Sequence, residues 1–189
     1  MYNLKIITST VRAGRKGPIV ADWIVNHAKK HGDFNVELLD LAVINLPMMD
    51  EPNHPMMKNY KYEHTKKWSA SIDEADAFIF VTAEYDYNYP APLRNAIEYL
   101  LQEWQYKAAG IVSYGGISSG TRAANSLKAD LATMKIVPLS EAVHIPFFAQ
   151  FIIDGVFVPN EITVKAADTM LKELVRWTKG LKIIKENKI

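Results

Sequence analysis

Short apolar runs alternate along the chain with longer segments in which apolar residues recur at helical spacing. The runs that predict strands are 4–7, 34–39, 77–81 and 108–112, with further strand material at 136–139 and 142–145. Strands that alternate with helical segments are typical of a parallel sheet covered by helices on both faces. The pattern therefore predicts an α/β protein.

Helical spacing marks the segments between and after these runs. Gly17 and Pro18 predict the start of the first helix, because proline is tolerated at the first helical position, and Gly32 predicts its end. The other predicted helices contain Trp68 and Ile72, residues 93–100 after two prolines, residues 123–134, and a last helix capped by Asn160. Residues 40–60 lack this pattern and form an unusually long irregular segment.

Five strands interleaved with helices predict a flavodoxin-like fold: three α/β/α layers around a five-stranded parallel sheet of order 2-1-3-4-5. Ligands of such sheets bind outside the carboxyl ends of the strands, where the strand order reverses. The loops after the first, third and fourth strands then become neighbours. Since the sequence has no linker or internal repeat, we expect a single domain over residues 1–189.

Composition excludes several functional classes. The 22 basic and 21 acidic residues leave no net field to hold a nucleic acid or an anionic membrane, so no nucleic-acid or membrane partner is expected. Without cysteine there is no disulfide or thiol chemistry, so redox work requires a bound cofactor. The histidines lack metal-ligand spacing, and no apolar stretch or leader suits a membrane span or export. We expect a soluble, cytoplasmic protein with no metal site.

The loop at residues 8–17 combines three hydroxyl side chains with three basic ones and leads into a helix N-terminus. Backbone N–H groups and the helix dipole favour a phosphate there, and an arginine adds a charge-assisted fork. Thr10 and Arg12 are the main candidates. The spacing fits neither a nucleoside-triphosphate loop nor a dinucleotide loop. A solvated basic turn is the alternative interpretation.

The loop after the third predicted strand contains Tyr85, Tyr87 and Tyr89 within five residues. A flavin ring has aromatic faces and a polar rim, and tyrosine offers an apolar body with a polar tip. Tyr85 and Asp86 are candidates for contact with such a ring. The same tyrosines could instead belong to the core or to a subunit interface.

The loop after the fourth predicted strand, residues 113–120, is rich in glycine and serine. Glycine lets the backbone approach a ligand closely and expose N–H donors. Together the three loops predict a site for flavin mononucleotide (FMN).

In order and spacing, these segments resemble the NADPH-dependent FMN reductase family of flavodoxin-like flavoproteins. The family's phosphate loop G-S-x-R corresponds to residues 9–12, and its Y-G-G turn to residues 114–116. Its segment P-E-Y-N, followed by x-x-P-x-x-L-K-N-A-I-[DE], corresponds to residues 83–86 and 90–98. The stretch from Tyr85 to Glu98 is the most specific of these matches.

The resemblance implies an FMN-dependent NAD(P)H oxidoreductase that passes hydride from NADPH or NADH to FMN, and then electrons to a flavin, quinone or similar small acceptor. No catalytic side chain is assigned, because the cofactor carries the chemistry. With Lys16 added from the basic loop, the expected cofactor-binding residues are Thr10, Arg12, Lys16, Gly17, Pro18, Ile19, Glu84, Tyr85, Asp86, Tyr87, Gly115 and Gly116.

The family likeness also implies a homodimer or homotetramer with FMN near a subunit contact. The methionine-rich segment at residues 46–57 is a candidate for acceptor specificity, because methionines form deformable surfaces. It could equally cover the flavin of a neighbouring subunit or pack as an ordinary loop.

Four positions depart from the family pattern. Ser9, Thr10, Ala83 and Asp86 stand where the family has glycine, serine, proline and asparagine. A carboxylate at Asp86 is expected to lower the flavin reduction potential by opposing the charge of the reduced ring, unless it is protonated or only its backbone contacts FMN. Two alternatives stay open: a flavodoxin-like electron carrier, and a regulatory or binding domain that has lost the cofactor.

Overall fold

Four long strands form the centre of a parallel sheet in the computed structural model, which describes residues 1–186. They are β1 (Tyr2–Thr8), β2 (Phe34–Asp40), β3 (Ala77–Ala83) and β4 (Ala108–Tyr114). Every residue of β3 and β4 is buried, as expected for strands covered on both faces. The last three residues of the predicted domain, 187–189, lie outside the described residues.

The sheet has the order β2-β1-β3-β4-β5, which confirms the predicted flavodoxin-like topology. Its fifth position is divided between two short strands. β5 (Val137–Pro138) pairs with the start of β4, and β6 (Val143–Ile145) pairs with its end. The loops after β1, β3 and β4 therefore lie at one edge of the sheet.

Within residues 1–186, six α-helices accompany the sheet: α1 (Gly17–His31), α2 (Leu41–Ile44), α3 (Glu63–Asp73), α4 (Ala91–Glu98), α5 (Thr121–Thr133) and α6 (Glu161–Glu186). Apolar residues of α1 and α6 pack in one core, and those of α3, α4 and α5 pack in a second. The predicted boundaries of the first helix are confirmed, since Pro18 lies in its first turn and Gly32 is left-handed at its end. Asn160 caps α6 by accepting a hydrogen bond from the Thr163 N–H at 2.9 Å.

Two features differ from the sequence prediction. Residues 40–60 are not wholly irregular, because they contain α2 and a 3₁₀ turn, Pro55–Met57. A hairpin of β7 (Ile152–Ile153) and β8 (Val156–Phe157) precedes α6, where no strand is predicted. Within residues 1–186, no helix combines the length and apolar character needed to cross a bilayer.

Candidate functional site: a cavity at the carboxyl edge of the sheet

The three loops singled out in the sequence meet around one cavity of about 210 Å³. Its walls come from the loop after β1, the loop after β3, the glycine turn after β4, and a 3₁₀ turn that follows β6. The lining residues are Arg12, Lys16, Ala83, Glu84, Tyr85, Tyr114, Gly115, Gly116 and Phe148. A groove of about 300 Å³ around Trp177 lies along α6 and joins none of these loops.

The part of the site that is suited to a phosphate group lies where β1 leads into α1. The hydroxyl oxygens of Ser9 and Thr10 are buried, and neither has a hydrogen-bond partner within residues 1–186. The Thr10 hydroxyl lies beside Gly17, where a Cβ atom would come within 2.5 Å of it. Lys16 precedes α1 without capping it by its side chain. Pro18 has no N–H and the Ile19 N–H donates to the Lys16 carbonyl at 3.1 Å, so the Gly17 N–H is the donor that the start of the helix offers to a ligand.

The three basic residues of this loop have different roles. Arg15 pairs with Asp40 and is therefore not a candidate for ligand binding. Two of its guanidinium nitrogens each donate to one Asp40 carboxylate oxygen at 2.7 Å. Burial alone would raise the pKa of Asp40, but the bonds from Arg15 and from the Ala42 N–H lower it below its usual value. Arg12 and Lys16 line the cavity instead, and Arg12 Nε donates to the Tyr85 hydroxyl at 3.0 Å.

The aromatic loop is a tight turn closed by two backbone hydrogen bonds between Tyr85 and Asn88, of 2.8 and 2.9 Å. Its central residues, Asp86 and Tyr87, both have positive φ, at 47° and 71°. The turn directs Tyr85 toward the cavity, while Asp86 and Tyr87 are exposed and do not line it.

Glu84 is an ion-paired carboxylate at the start of this loop. Arg122 at the N-terminus of α5 lies 2.6 Å from it. Burial alone would raise the Glu84 pKa, but hydrogen bonds from Arg122 and Ser118 lower it. Arg122 was not predicted as a site residue. It stands 38 residues from Glu84 in the sequence, and no local pattern connects the two.

The glycine turn is fixed through its backbone. Gly115 N–H donates to the Ile145 carbonyl at 3.2 Å, and the Gly115 carbonyl accepts from Phe148 N–H at 3.3 Å. The Phe148 ring lies 4.8 Å from the Tyr114 ring, and both rings face the cavity. Burial raises the Tyr114 pKa to about 12, which keeps its hydroxyl protonated as a donor. Sequence reasoning missed Phe148, because it lies in a short 3₁₀ turn, Phe148–Phe151, that no local pattern marks.

His144 and Ser113 support the same turn from behind. Ser113 Oγ donates to the Ser119 carbonyl at 2.8 Å and lies 2.7 Å from His144 Nδ1. Because the serine proton is already donated, Nδ1 carries the imidazole proton. Burial and the nearby Lys128 lower the His144 pKa. The histidine is thus a structural donor.

The cavity brings together half of the predicted site residues: Arg12, Lys16, Glu84, Tyr85, Gly115 and Gly116. Thr10 and Gly17 lie directly behind it and contact each other. Pro18, Ile19, Asp86 and Tyr87 do not line it, and Ile19 borders a separate groove beside Trp23. The roles of all twelve residues remain predictions.

Fold and site together define a flavodoxin-like protein in which a phosphate-type loop faces an aromatic wall. The model of the NADPH-dependent FMN reductase family matches residues 3–150. An NAD(P)H-dependent FMN reductase of Schizosaccharomyces pombe is 39% identical over 158 residues, which are 82% of this chain and 78% of that protein. The chain therefore belongs to the NADPH-dependent FMN reductase family.

Two further relatives agree. An NAD(P)H-dependent FMN reductase of a Nectria species is 36% identical over 79% of this chain and 77% of its own length. The structure of FerB, a flavoenzyme NAD(P)H:(acceptor) oxidoreductase from Paracoccus denitrificans, matches with a TM-score of 0.77 over 95% of this chain and 98% of its own. At 22% identity, that match establishes the fold alone. Family membership confirms the expected oxidoreductase class with FMN and NADPH or NADH as cofactors.

Proposed function

We propose that this protein binds FMN in the cavity at the carboxyl edge of the sheet, and uses NADPH or NADH to reduce a flavin, a quinone or a similar small acceptor. The observation that carries the proposal is one site that combines a helix N-terminus and an aromatic wall with two buried hydroxyls, those of Ser9 and Thr10, that have no hydrogen-bond partner within residues 1–186. Buried polar atoms without partners are rare and indicate a missing ligand or water.

The phosphate end fits a phosphomonoester. Thr10 and Ser9 offer hydroxyl donors, and the start of α1 offers the Gly17 N–H and the positive end of the helix dipole. Arg12 and Lys16 bring positive charge to the same side of the cavity, whereas Arg15 is neutralised by Asp40. Gly17 leaves space beside Thr10 that a side chain would fill. These groups match the charge and hydrogen-bonding needs of the FMN phosphate.

The opposite end fits a flat, polar-edged ring. Tyr85 and Phe148 supply aromatic surface, and Gly115 and Gly116 let the backbone approach closely. Tyr114 supplies a protonated hydroxyl between the two ends. The bound cofactor would accept hydride from a nicotinamide and release electrons to the acceptor. The chain's own residues bind and orient it, and none is assigned as a proton donor.

An anaerobic visible spectrum after reconstitution with FMN and removal of free flavin tests the proposal. We expect retained flavin absorbance that bleaches on addition of NADPH or NADH and returns with a quinone or free flavin. Flavin that bleaches with dithionite but with neither nicotinamide would contradict the reductase and favour an electron carrier. A protein that retains no FMN would contradict the site itself.

The acceptor class is tested by comparing kcat/KM values across flavins, quinones and azo compounds, because many acceptors react with an accessible reduced flavin. We expect ping-pong kinetics, since both substrates would use the same open side of the site in turn. Intersecting double-reciprocal lines would indicate a ternary complex and would contradict the ping-pong mechanism.

A further inference from the structure

Arg122 contacts two residues of the loop after β3. Its Nε and Nη2 each lie 2.6 Å from Glu84 Oε1, and its backbone N–H donates to Glu84 Oε2 at 3.2 Å. Its guanidinium carbon lies 3.9 Å from the centroid of the Tyr87 ring. One side chain therefore joins the start of the aromatic loop to the tip of its turn.

The turn at residues 85–88 needs contacts from outside the loop to stabilise it. Asp86 and Tyr87 both adopt the left-handed region, which is unfavourable for residues with a Cβ, and a turn of this shape usually contains glycine. Tyr87 is 69% exposed, so burial in the core does not hold it. Its ring stacks on the Arg122 guanidinium.

The backbone of Arg122 is itself well placed to serve as an anchor. Arg122 is the second residue of α5, two positions after the end of the glycine turn. The residue that ends this turn, Gly120, packs so closely on β4 that a Cβ would lie 2.9 Å from Tyr114 backbone atoms. Arg122 thus links the rigid glycine wall of the cavity to the strained aromatic wall.

We propose that Arg122 is a positioning residue that fixes the turn at residues 85–88, and with it the Tyr85 side chain that faces the cavity. The benefit to flavin binding rests on the proposed function, whereas the hold on the turn does not. Arginine suits this role better than lysine, because a planar guanidinium can stack on a ring while it pairs with a carboxylate.

Amide hydrogen exchange in the flavin-free protein tests the hold on the turn. The Asn88 N–H, which closes the turn on the Tyr85 carbonyl, is the reporter. We expect Arg122→Ala to speed its exchange about tenfold, the combined effect of an ion pair and a cation–π contact. Arg122→Lys keeps the charge for the pair with Glu84 but loses the planar stack on Tyr87, and should leave part of this increase.

A matched control is Arg176→Ala, which removes the arginine of a 2.7 Å ion pair with Glu173 on α6. It should leave Asn88 exchange unchanged. The Val112 amide in the buried strand β4 should exchange alike in all variants, which separates local loosening from global destabilisation. Unchanged Asn88 exchange in Arg122→Ala would overturn the proposal.

FMN affinity gives a second measurement. We expect Arg122→Ala to raise the dissociation constant for FMN about tenfold in the natural background, and about threefold or less in a Tyr87→Gly background. Glycine adopts the left-handed turn without help, so the arginine then has less to hold. Equal losses in both backgrounds would contradict action through Tyr87. Failure of the natural protein to bind FMN would contradict the proposed function, while the exchange data would still decide the role of Arg122.

Discussion

At the scale of single residues, Gly17 is the position where one added methyl group has the most direct consequence. A Cβ there would lie 2.5 Å from Thr10 Oγ1 and 2.8 Å from the Tyr114 hydroxyl. We expect Gly17→Ala to weaken FMN binding at least tenfold, and to cost about 1–3 kcal/mol in the free energy of unfolding, as overpacking does. Fluorescence titration and urea unfolding measure the two effects.

Gly180→Ala is the matched control. This glycine lies in α6, and nothing within 4 Å would meet its added Cβ. Alanine is the better helix former, so we expect a gain of about 0.5–1 kcal/mol in stability and an unchanged FMN affinity. A Gly17→Ala protein that bound FMN as tightly as the control would show that the Thr10–Gly17 contact is not part of the phosphate site.

Asp86 is the other residue whose chemistry can be tested alone. Its carboxylate is exposed at the tip of the aromatic turn, outside the cavity lining. If its charge acts on the flavin through space, Asp86→Asn should raise the midpoint potential by an amount on the order of tens of millivolts. Asparagine also tolerates the left-handed backbone, so the turn should survive. A redox titration with the same midpoint in both proteins would refute the electrostatic effect.

At the scale of elements, the sequence predicts what local pattern controls. β3 and β4 contain continuous apolar runs, and β1 is apolar apart from Lys5 over residues 4–7. The ends of α1 are marked by Pro18 and Gly32, so these elements are predictable. The strand material predicted at 136–139 and 142–145 contains β5 and β6. The hairpin of β7 and β8 consists of two pairs of residues, which are too short to show a period.

The residues of the site also fall into a group that local sequence pattern predicts and a group that it does not. Thr10, Arg12, Tyr85 and Gly115 lie in loops that follow predictable strands. Their convergence follows from the order of the strands. The pair of Arg122 with Glu84 depends on tertiary packing between loops, and the left-handed Asp86–Tyr87 turn lacks the glycine that would signal it.

The segment at residues 46–62 is fixed to the helices beside it by buried polar contacts. The Glu103 side chain is fully buried and accepts hydrogen bonds from the Tyr60 hydroxyl at 2.9 Å and from Ser69 Oγ at 2.6 Å. Asn95 of α4 donates to the Pro47 carbonyl at 2.7 Å. These contacts bind the segment to its own chain.

Tyr60→Phe removes one donor from a carboxylate that stays buried. We expect a loss of about 1–3 kcal/mol in the free energy of unfolding, because the acceptor keeps its desolvation penalty. Urea unfolding measures the loss. Tyr106→Phe is the control, since Tyr106 is 40% exposed and its hydroxyl has no hydrogen bond within the described part of the chain. Equal stability of the two variants would mean that Glu103 does not depend on Tyr60.

At the scale of the whole molecule, the two apolar cores lie on opposite faces of one sheet. The strands β1, β3 and β4 contribute side chains to both, so neither core can be lost without the other. We therefore propose that the chain unfolds as one domain. The homodimer or homotetramer stays a prediction, which the solution mass decides.

The free energy of unfolding should also depend on pH through Lys107, which directly precedes β4. Lys107 is 2% exposed, and its ammonium group donates to the carbonyls of Ile72 and Asp73 at the end of α3, at 2.6 and 3.0 Å. Burial, with a smaller effect from Lys185, lowers its pKa from 10.5 to about 7. Asp73, Asp76 and Glu103 act in the opposite direction but do not compensate.

Below pH 7, Lys107 is protonated in both states, and the full cost of burying its charge opposes folding. Between pH 7 and 10.5, the unfolded chain holds this proton and the folded protein does not, so the free energy of unfolding rises with pH. Relative to Lys107→Met, the natural protein should gain a few kcal/mol across this window in urea unfolding. Lys165→Met, which removes an exposed lysine of α6, should keep the natural pH dependence. If Lys107→Met shows the same pH dependence as the natural protein, Lys107 does not titrate near pH 7, and its two hydrogen bonds to α3 outweigh the cost of burying its charge.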